Sequence, residues 1–254
     1  MDMDMNEISE WYPYAHKMPI RNLHKSALQG KRVFLRVNYG IVRDGKIIDD
    51  RHIRATVMDI RHLLKSGART IVVVSHNGRR ENFFKGKKTS VGVVSDGECH
   101  SEYSLRPVAR RLTEILREKR LLSDEREVLM TDDCIGEEAK SMIQDDGVFL
   151  LENVMFRSGE TSEDDNEVMA FARELHDTTH CDFYVNADPV TAHMGQHASL
   201  GQITRLIPGP KVAGFLLTQE LTALENFMRN PHKPVTAIIG GAKVSAKVEA
   251  MSNL

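Results

Sequence analysis

The segment Val73-Val74-Ser75-His76-Asn77-Gly78-Arg79-Arg80 puts an imidazole, an amide and two guanidinium groups directly behind a run of β-branched residues. Gly78 permits close backbone approach to a ligand, and a guanidinium such as Arg79 forks onto a phosphate or carboxylate through two parallel hydrogen bonds. The chemistry on offer is anion binding; the competing reading is an ordinary turn with solvated arginines. A second candidate is Ile238-Ile239-Gly240-Gly241-Ala242-Lys243-Val244-Ser245-Ala246-Lys247. Paired glycines opening a helix present backbone N–H groups to a phosphate, and Lys243 and Lys247 share one helix face. The spacing is not that of a Walker A loop, and a tight turn before a solvated helix is the alternative. His176 with His180 and His193 with His197 have H-x-x-x-H spacing. Neither pair carries a metalloprotease Glu, and no metal site is assigned. Without a G-x-S-x-G elbow or a cysteine in an activating context, nucleophilic hydrolysis drops out.

These groups need a scaffold, and the chain has material for one. Its 254 residues are 41% hydrophobic, enough for one domain and part of another. No stretch approaches the roughly 18 consecutive apolar residues of a membrane helix. A formal net charge of −2 supplies no global field for gripping nucleic acid or an anionic membrane, so any anion site must be local. Cys99, Cys134 and Cys181 lie far apart with no C-x-x-C pair, which argues against a disulfide framework and for a reducing, cytoplasmic compartment. Residues 1–20 read as an extension that is neither a secretory signal nor a transit peptide.

From Lys31 onward the apolar period switches repeatedly between 2 and 3.6. Arg32 to Val37 reads as a strand. Ile53, Val57, Ile60 and Leu64 have helical spacing, and Gly67 stops that helix. Thr70 to Val74 is a β-branched run of the kind buried on both faces in a parallel sheet. Leu105, Val108, Ala109, Leu112, Ile115 and Leu116 mark a helix with Ser104 as its cap. Strands are expected at 148–151 and 183–185, flanking a helix that carries Val168, Phe171, Ala172 and Leu175. Such alternation predicts right-handed βαβ crossovers and a parallel sheet with helices on both faces, whose ligands sit beyond the carboxyl ends of the strands. Residues 80–102 read as a long loop. Pro208 to Pro210 looks like a domain boundary, followed by a long helix from Phe215 to Met228 with Leu217, Leu221, Leu224 and Met228 on one stripe. A last strand begins at Val235.

Read in order, the motifs resemble the phosphoglycerate kinase family. The blocks are KRVFLRV at 31–37, IIDDRHIRA at 47–55, LLKSGAR at 63–69, VVSHNGR at 73–79, YSLRPVARRL at 103–112, DDCIGEE at 132–138, FLLENVMF at 149–156, YVNAD at 184–188, VAGFLLTQEL at 212–221 and IIGGAKVSAK at 238–247. The resemblance implies a three-layer αβα, Rossmann-like parallel sheet over residues 21–207, then a linker helix and an incomplete nucleotide-binding lobe over 208–254. It also implies transfer of a phosphoryl group between 1,3-bisphosphoglycerate and ADP, with Mg-ATP or Mg-ADP as nucleotide and 3-phosphoglycerate as partner substrate. His76, Gly78 and Arg79 match the triose-binding loop, although the family's Leu is Asn77. Gly240, Gly241, Lys243 and Lys247 match the nucleotide-phosphate segment, with Lys243 meeting the transferring group.

The departures fall on the triose site. The family's R-V-D-F-N is Arg36-Val37-Asn38-Tyr39-Gly40, and its V-N-D-A-F-G is Val185-Asn186-Ala187-Asp188-Pro189-Val190. Its catalytic arginine is His52, and two further substrate arginines are Met155 and Met194. Arg51 and Arg157 stand close enough in sequence to act as substitutes. The expectation is a phosphoglycerate kinase-like protein with weak or absent catalysis. The alternatives are a working kinase with unusual contacts, or a noncatalytic scaffold meeting a protein partner through 1–20 and 80–102.

Overall fold

The computed structural model describes residues 18–78, 101–143, 146–236 and 238. Its centre is a parallel sheet of six strands: β1 (Arg32–Arg36), β4 (Thr70–Val74), β5 (Leu129–Met130), β6 (Gly147–Leu150), β7 (Phe183–Asn186) and β8 (Lys211–Ala213). Their order across the sheet is β5-β6-β4-β1-β7-β8, so β1 pairs with β4 on one side and β7 on the other. A separate antiparallel hairpin joins β2 (Val42–Arg43) to β3 (Lys46–Ile47) through Asp44-Gly45, both at positive φ.

Alternation along each strand divides the core in two. Val33, Leu35, Ile71, Val73, Val148, Leu150 and Val185 face one way. There they meet Ile53, Ile60 and Leu63 of α2 (Arg51–Lys65) and Val108, Leu112, Ile115 and Leu116 of α3 (Arg106–Glu118). Phe34, Val72, Val74, Phe149 and Tyr184 face the other way, onto Val168, Phe171, Ala172 and Leu175 of α5 (Asp165–Thr179) and Ile203 of α6 (Ile203–Leu206). This is the expected αβα sandwich. Short helices α1 (Lys25–Leu28) and α4 (Glu137–Met142) lie between the main elements, and α7 (Phe215–Arg229) follows β8.

Charge fixes how the helices meet. Asp50, before α2, accepts from Arg54 (3.0 Å) and from both Nε and Nη2 of Arg111 on α3 (2.9 and 2.8 Å), which ties the two helices together. Asp59 of α2 is fully buried; one carboxylate oxygen accepts the first N–H of α7, from Phe215, at 2.9 Å, and the other has no hydrogen-bond partner. Burial pushes this acid up to about 7, with the Phe215 N–H partly opposing it.

Two expectations are corrected. Ser104 lies one residue before the helix's cap position, held by Leu105, yet its hydroxyl still accepts the Arg106 N–H at 3.2 Å. Val235 and Thr236 are not in a strand. Of the α7 stripe only Leu217 is buried; Leu224 and Met228 are exposed. No helix among the described residues is long and apolar enough to cross a membrane.

Candidate functional site

At the carboxyl ends of β1, β4, β6 and β7 the sheet delivers Arg36-Val37-Asn38, Ser75-His76-Asn77, Glu152-Asn153 and Asp188 to one place. Arg36 is the centre, with 0% of its surface exposed. Its Nε donates to Ser199 Oγ (2.9 Å), Nη1 donates to the Val37 carbonyl and lies 3.5 Å from Asp188 Oδ2, and Nη2 is 3.0 Å from His76 Nδ1. Each guanidinium nitrogen therefore has a protein partner.

Two buried carboxylates balance it. Asp188 Oδ1 accepts the backbone N–H of Val190 (2.9 Å) and Thr191 (3.1 Å) and the Asn38 amide (3.3 Å), while Oδ2 accepts the Thr191 hydroxyl. Burial alone would raise Asp188; the Arg36 charge and the Thr191 hydrogen bonds override it and lower its pKa. Glu160 accepts the Ser199 N–H (3.0 Å) and hydroxyl (2.6 Å), and burial raises it in spite of Arg36. His197 Nδ1 stands 3.9 Å from Glu160, buried and without a hydrogen-bond partner. His76 is driven down to about 3, first by burial and then by the Arg36 charge, so it is neutral. A neutral ring that accepts from a guanidinium at Nδ1 carries its proton on Nε2, which leaves Nε2–H as its donor.

A second set of groups braces the loops. The Asn77 amide donates to the Val42 (3.1 Å) and Tyr103 (3.2 Å) carbonyls and accepts the Val42 N–H (3.2 Å). Asn153 Oδ1 accepts the N–H of Asn77 (3.0 Å) and Met155 (3.1 Å). Buried Glu152 accepts the Leu105 N–H (2.9 Å) and the Ser104 hydroxyl (2.6 Å), which anchors the start of α3.

The remaining candidates lie apart from this cluster or are already engaged. His52 is exposed in the first turn of α2. Arg51 is 86% exposed and paired with Asp49 at 2.5 Å. Met155 is 7% exposed in a 3-10 turn, packed with Phe156 and Tyr103. Met194 is half-buried in the turn after Thr191. Arg157 is paired with Asp133. Gly78 has φ 78°, the left-handed conformation that glycine adopts without strain. Of the two spaced histidine pairs, the His176 and His180 rings lie 6.4 Å apart. Arg79, Gly240, Gly241, Lys243 and Lys247 fall outside the described residues, as do 1–17 and 79–100 of the segments expected to meet a partner. Among the described residues no three His, Cys, Asp or Glu side chains converge to hold a metal.

Residues 23–254 match the phosphoglycerate kinase family. The chain belongs to it. It is 37% identical over 243 residues to the phosphoglycerate kinase of Pelobacter propionicus, covering 93% of this chain and 53% of that protein. It is 37% identical over 245 residues to the cytosolic phosphoglycerate kinase of Triticum aestivum, covering 94% and 53%. The phosphoglycerate kinase structure from Coxiella burnetii superposes with a TM-score of 0.67 at 28% identity, over 93% of this chain and 51% of that one. The chain thus spans about half the length of the curated relatives it matches.

The motif reading overlooked Ser199, Glu160 and the internal role of Arg36. A buried arginine at a strand's carboxyl end carries no sequence signature, because its side-chain partners lie 40, 152 and 163 residues away. The R-V-N-Y-G block signals only that an arginine is kept.

Proposed function

We propose that this chain is a phosphoglycerate kinase-type triose-binding lobe whose anion site is depleted of free arginines, so that phosphoryl transfer by the chain as it stands is weak or absent. The supporting observation is that Arg36 is spent on Asp188, His76 and Ser199, while the two nearby candidate substitutes, Arg51 and Arg157, are paired with Asp49 and Asp133. A charge-assisted hydrogen bond contributes roughly 1.5 to 3 kcal/mol, so a triose phosphate that loses three arginines is held about three to six powers of ten more weakly. His76 Nε2–H, the Asn38 amide, Gly78 and Arg79 are the polar groups left for 3-phosphoglycerate or 1,3-bisphosphoglycerate. Lys243, Lys247 and the 240–241 glycines are the groups proposed to meet the phosphates of Mg-ATP or Mg-ADP. We place the protein in a reducing, cytoplasmic compartment on its cysteine pattern.

Calorimetric titration with 3-phosphoglycerate tests this. The expected result is no millimolar or tighter binding, and no phosphoryl transfer when an intact nucleotide-binding half is supplied. Millimolar or tighter binding that disappears in Arg79→Ala would replace this reading with a working kinase using unusual contacts, which the 37% identity to phosphoglycerate kinases favours.

A further inference from the structure

Helices α2 and α3 run side by side away from the carboxyl ends of the strands, and between them lies a groove of about 570 Å³. Its floor is aliphatic, with Met58, Val57, Ile115 and Leu121, and Met58 stays 59% exposed in spite of its apolar character. Its rim is basic: Arg61, Lys65, Lys119 and Arg120 are all exposed, and none has an ion-pair partner among the described residues. Arg54, also in the rim, is neutralised by Asp50 at 2.9 Å and Glu118 at 4.0 Å. Both helices end here, and their dipoles together amount to about one negative charge, too little to cancel four cations. In a chain of net charge −2, this is a concentrated positive field over a greasy floor. Arg120 is also held at φ 56°, a left-handed position where a glycine would sit more easily.

The two halves of the groove ask for different things from one ligand. An inorganic anion would use the rim and leave the floor wet. A single-stranded nucleic acid would want aromatic faces on which to stack, and the lining contains none. Carboxylates interleaved with aliphatic side chains satisfy both. We propose that the α2/α3 groove docks an acidic segment of a partner protein, with carboxylates on Arg61, Lys65, Lys119 and Arg120 and Leu- or Met-like side chains on the Met58 floor. The site is remote from Arg36 and independent of the catalytic reading.

The test is fluorescence anisotropy with a short labelled peptide of Glu-Leu-Glu-Glu-Leu repeats titrated with the full chain. Saturable binding is expected, weakened about tenfold or more by Lys65→Glu combined with Lys119→Glu and by added salt. Arg120→Gly is expected to weaken binding while the urea midpoint stays equal or rises, since glycine relieves the left-handed backbone. That combination separates a contact residue from a structural one. Four results would overturn the proposal: equal binding of a Glu/Ser peptide, preference for polyphosphate, indifference to the charge reversals, or binding only after removal of residues 1–17. The last would assign the groove to the chain's own Asp2, Asp4, Glu7 and Glu10.

Discussion

Arg36, Asp188 and Glu160 place one cation against two carboxylates, all three without solvent exposure, in a setting where an unbalanced charge costs several kcal/mol. His76 belongs to the same network, and its depressed pKa makes stability depend on pH. The native ring stays neutral down to about 3 while the unfolded one takes a proton near 6.5, so its contribution is present above 6.5 and is lost as pH falls toward 3. Asp59 works in the opposite sense. Its native carboxyl keeps a proton up to about 7 while the unfolded one ionises near 4, so its contribution is present in acid and is lost as pH rises through 7. Each pKa unit corresponds to about 1.4 kcal/mol, which makes the two opposed effects comparable in size. Between about pH 4 and 6.5 the two groups therefore tilt the urea midpoint in opposite directions. Asp59→Asn should make it fall on acidification, and His76→Gln should make it fall as pH rises. Parallel curves for all three proteins would show that neither group titrates as described.

Among the elements, those buried on both faces were legible and those paired on one edge were not. Thr70–Val74 stands where its β-branched run predicts, because any other state would leave its four buried apolar residues, Ile71 to Val74, exposed. Strands β5 and β8 have only two and three residues and one neighbour each, so neither carries a countable period. The hairpin was readable but overlooked: Asp44-Gly45 is the two-residue turn that suits the right-handed twist of flanking strands. Helix α7 has a bare outer face, with Leu224 and Phe227 at 58% and 47% exposure, whereas Leu217 is buried. In this chain Leu224→Gln is expected to shift stability by less than about 0.5 kcal/mol, and Leu217→Ala to cost about 2 to 5 kcal/mol, both read by chemical denaturation. A large loss at Leu224 would mean that the outer face is already covered.

For the molecule as a whole, the motif order was enough to reach the family and the αβα sandwich. The buried Arg36 network was hidden because Arg36, Glu160 and Ser199 meet only in three dimensions. Restoring arginines tests whether the missing substrate contacts can be put back. His52→Arg and Met194→Arg fall on exposed and half-buried positions and should fold normally. Met155→Arg would force a guanidinium into the Phe156–Tyr103 cluster and is expected to lose about 2 kcal/mol or more in thermal or urea unfolding. If Met155→Arg is as stable as its parent, the pocket has remained open to a cation. The strand order has a further consequence, in time. β1 leaves the ribosome early, but its partner β7 begins only at Phe183, paired with Val33. At about 5 to 20 residues per second, the open edge of β1 waits roughly seven to thirty seconds for its second neighbour. The strand at the heart of the finished sheet is thus an exposed edge for much of its synthesis, and the nascent chain depends on whatever shields that edge until the sheet can close around it.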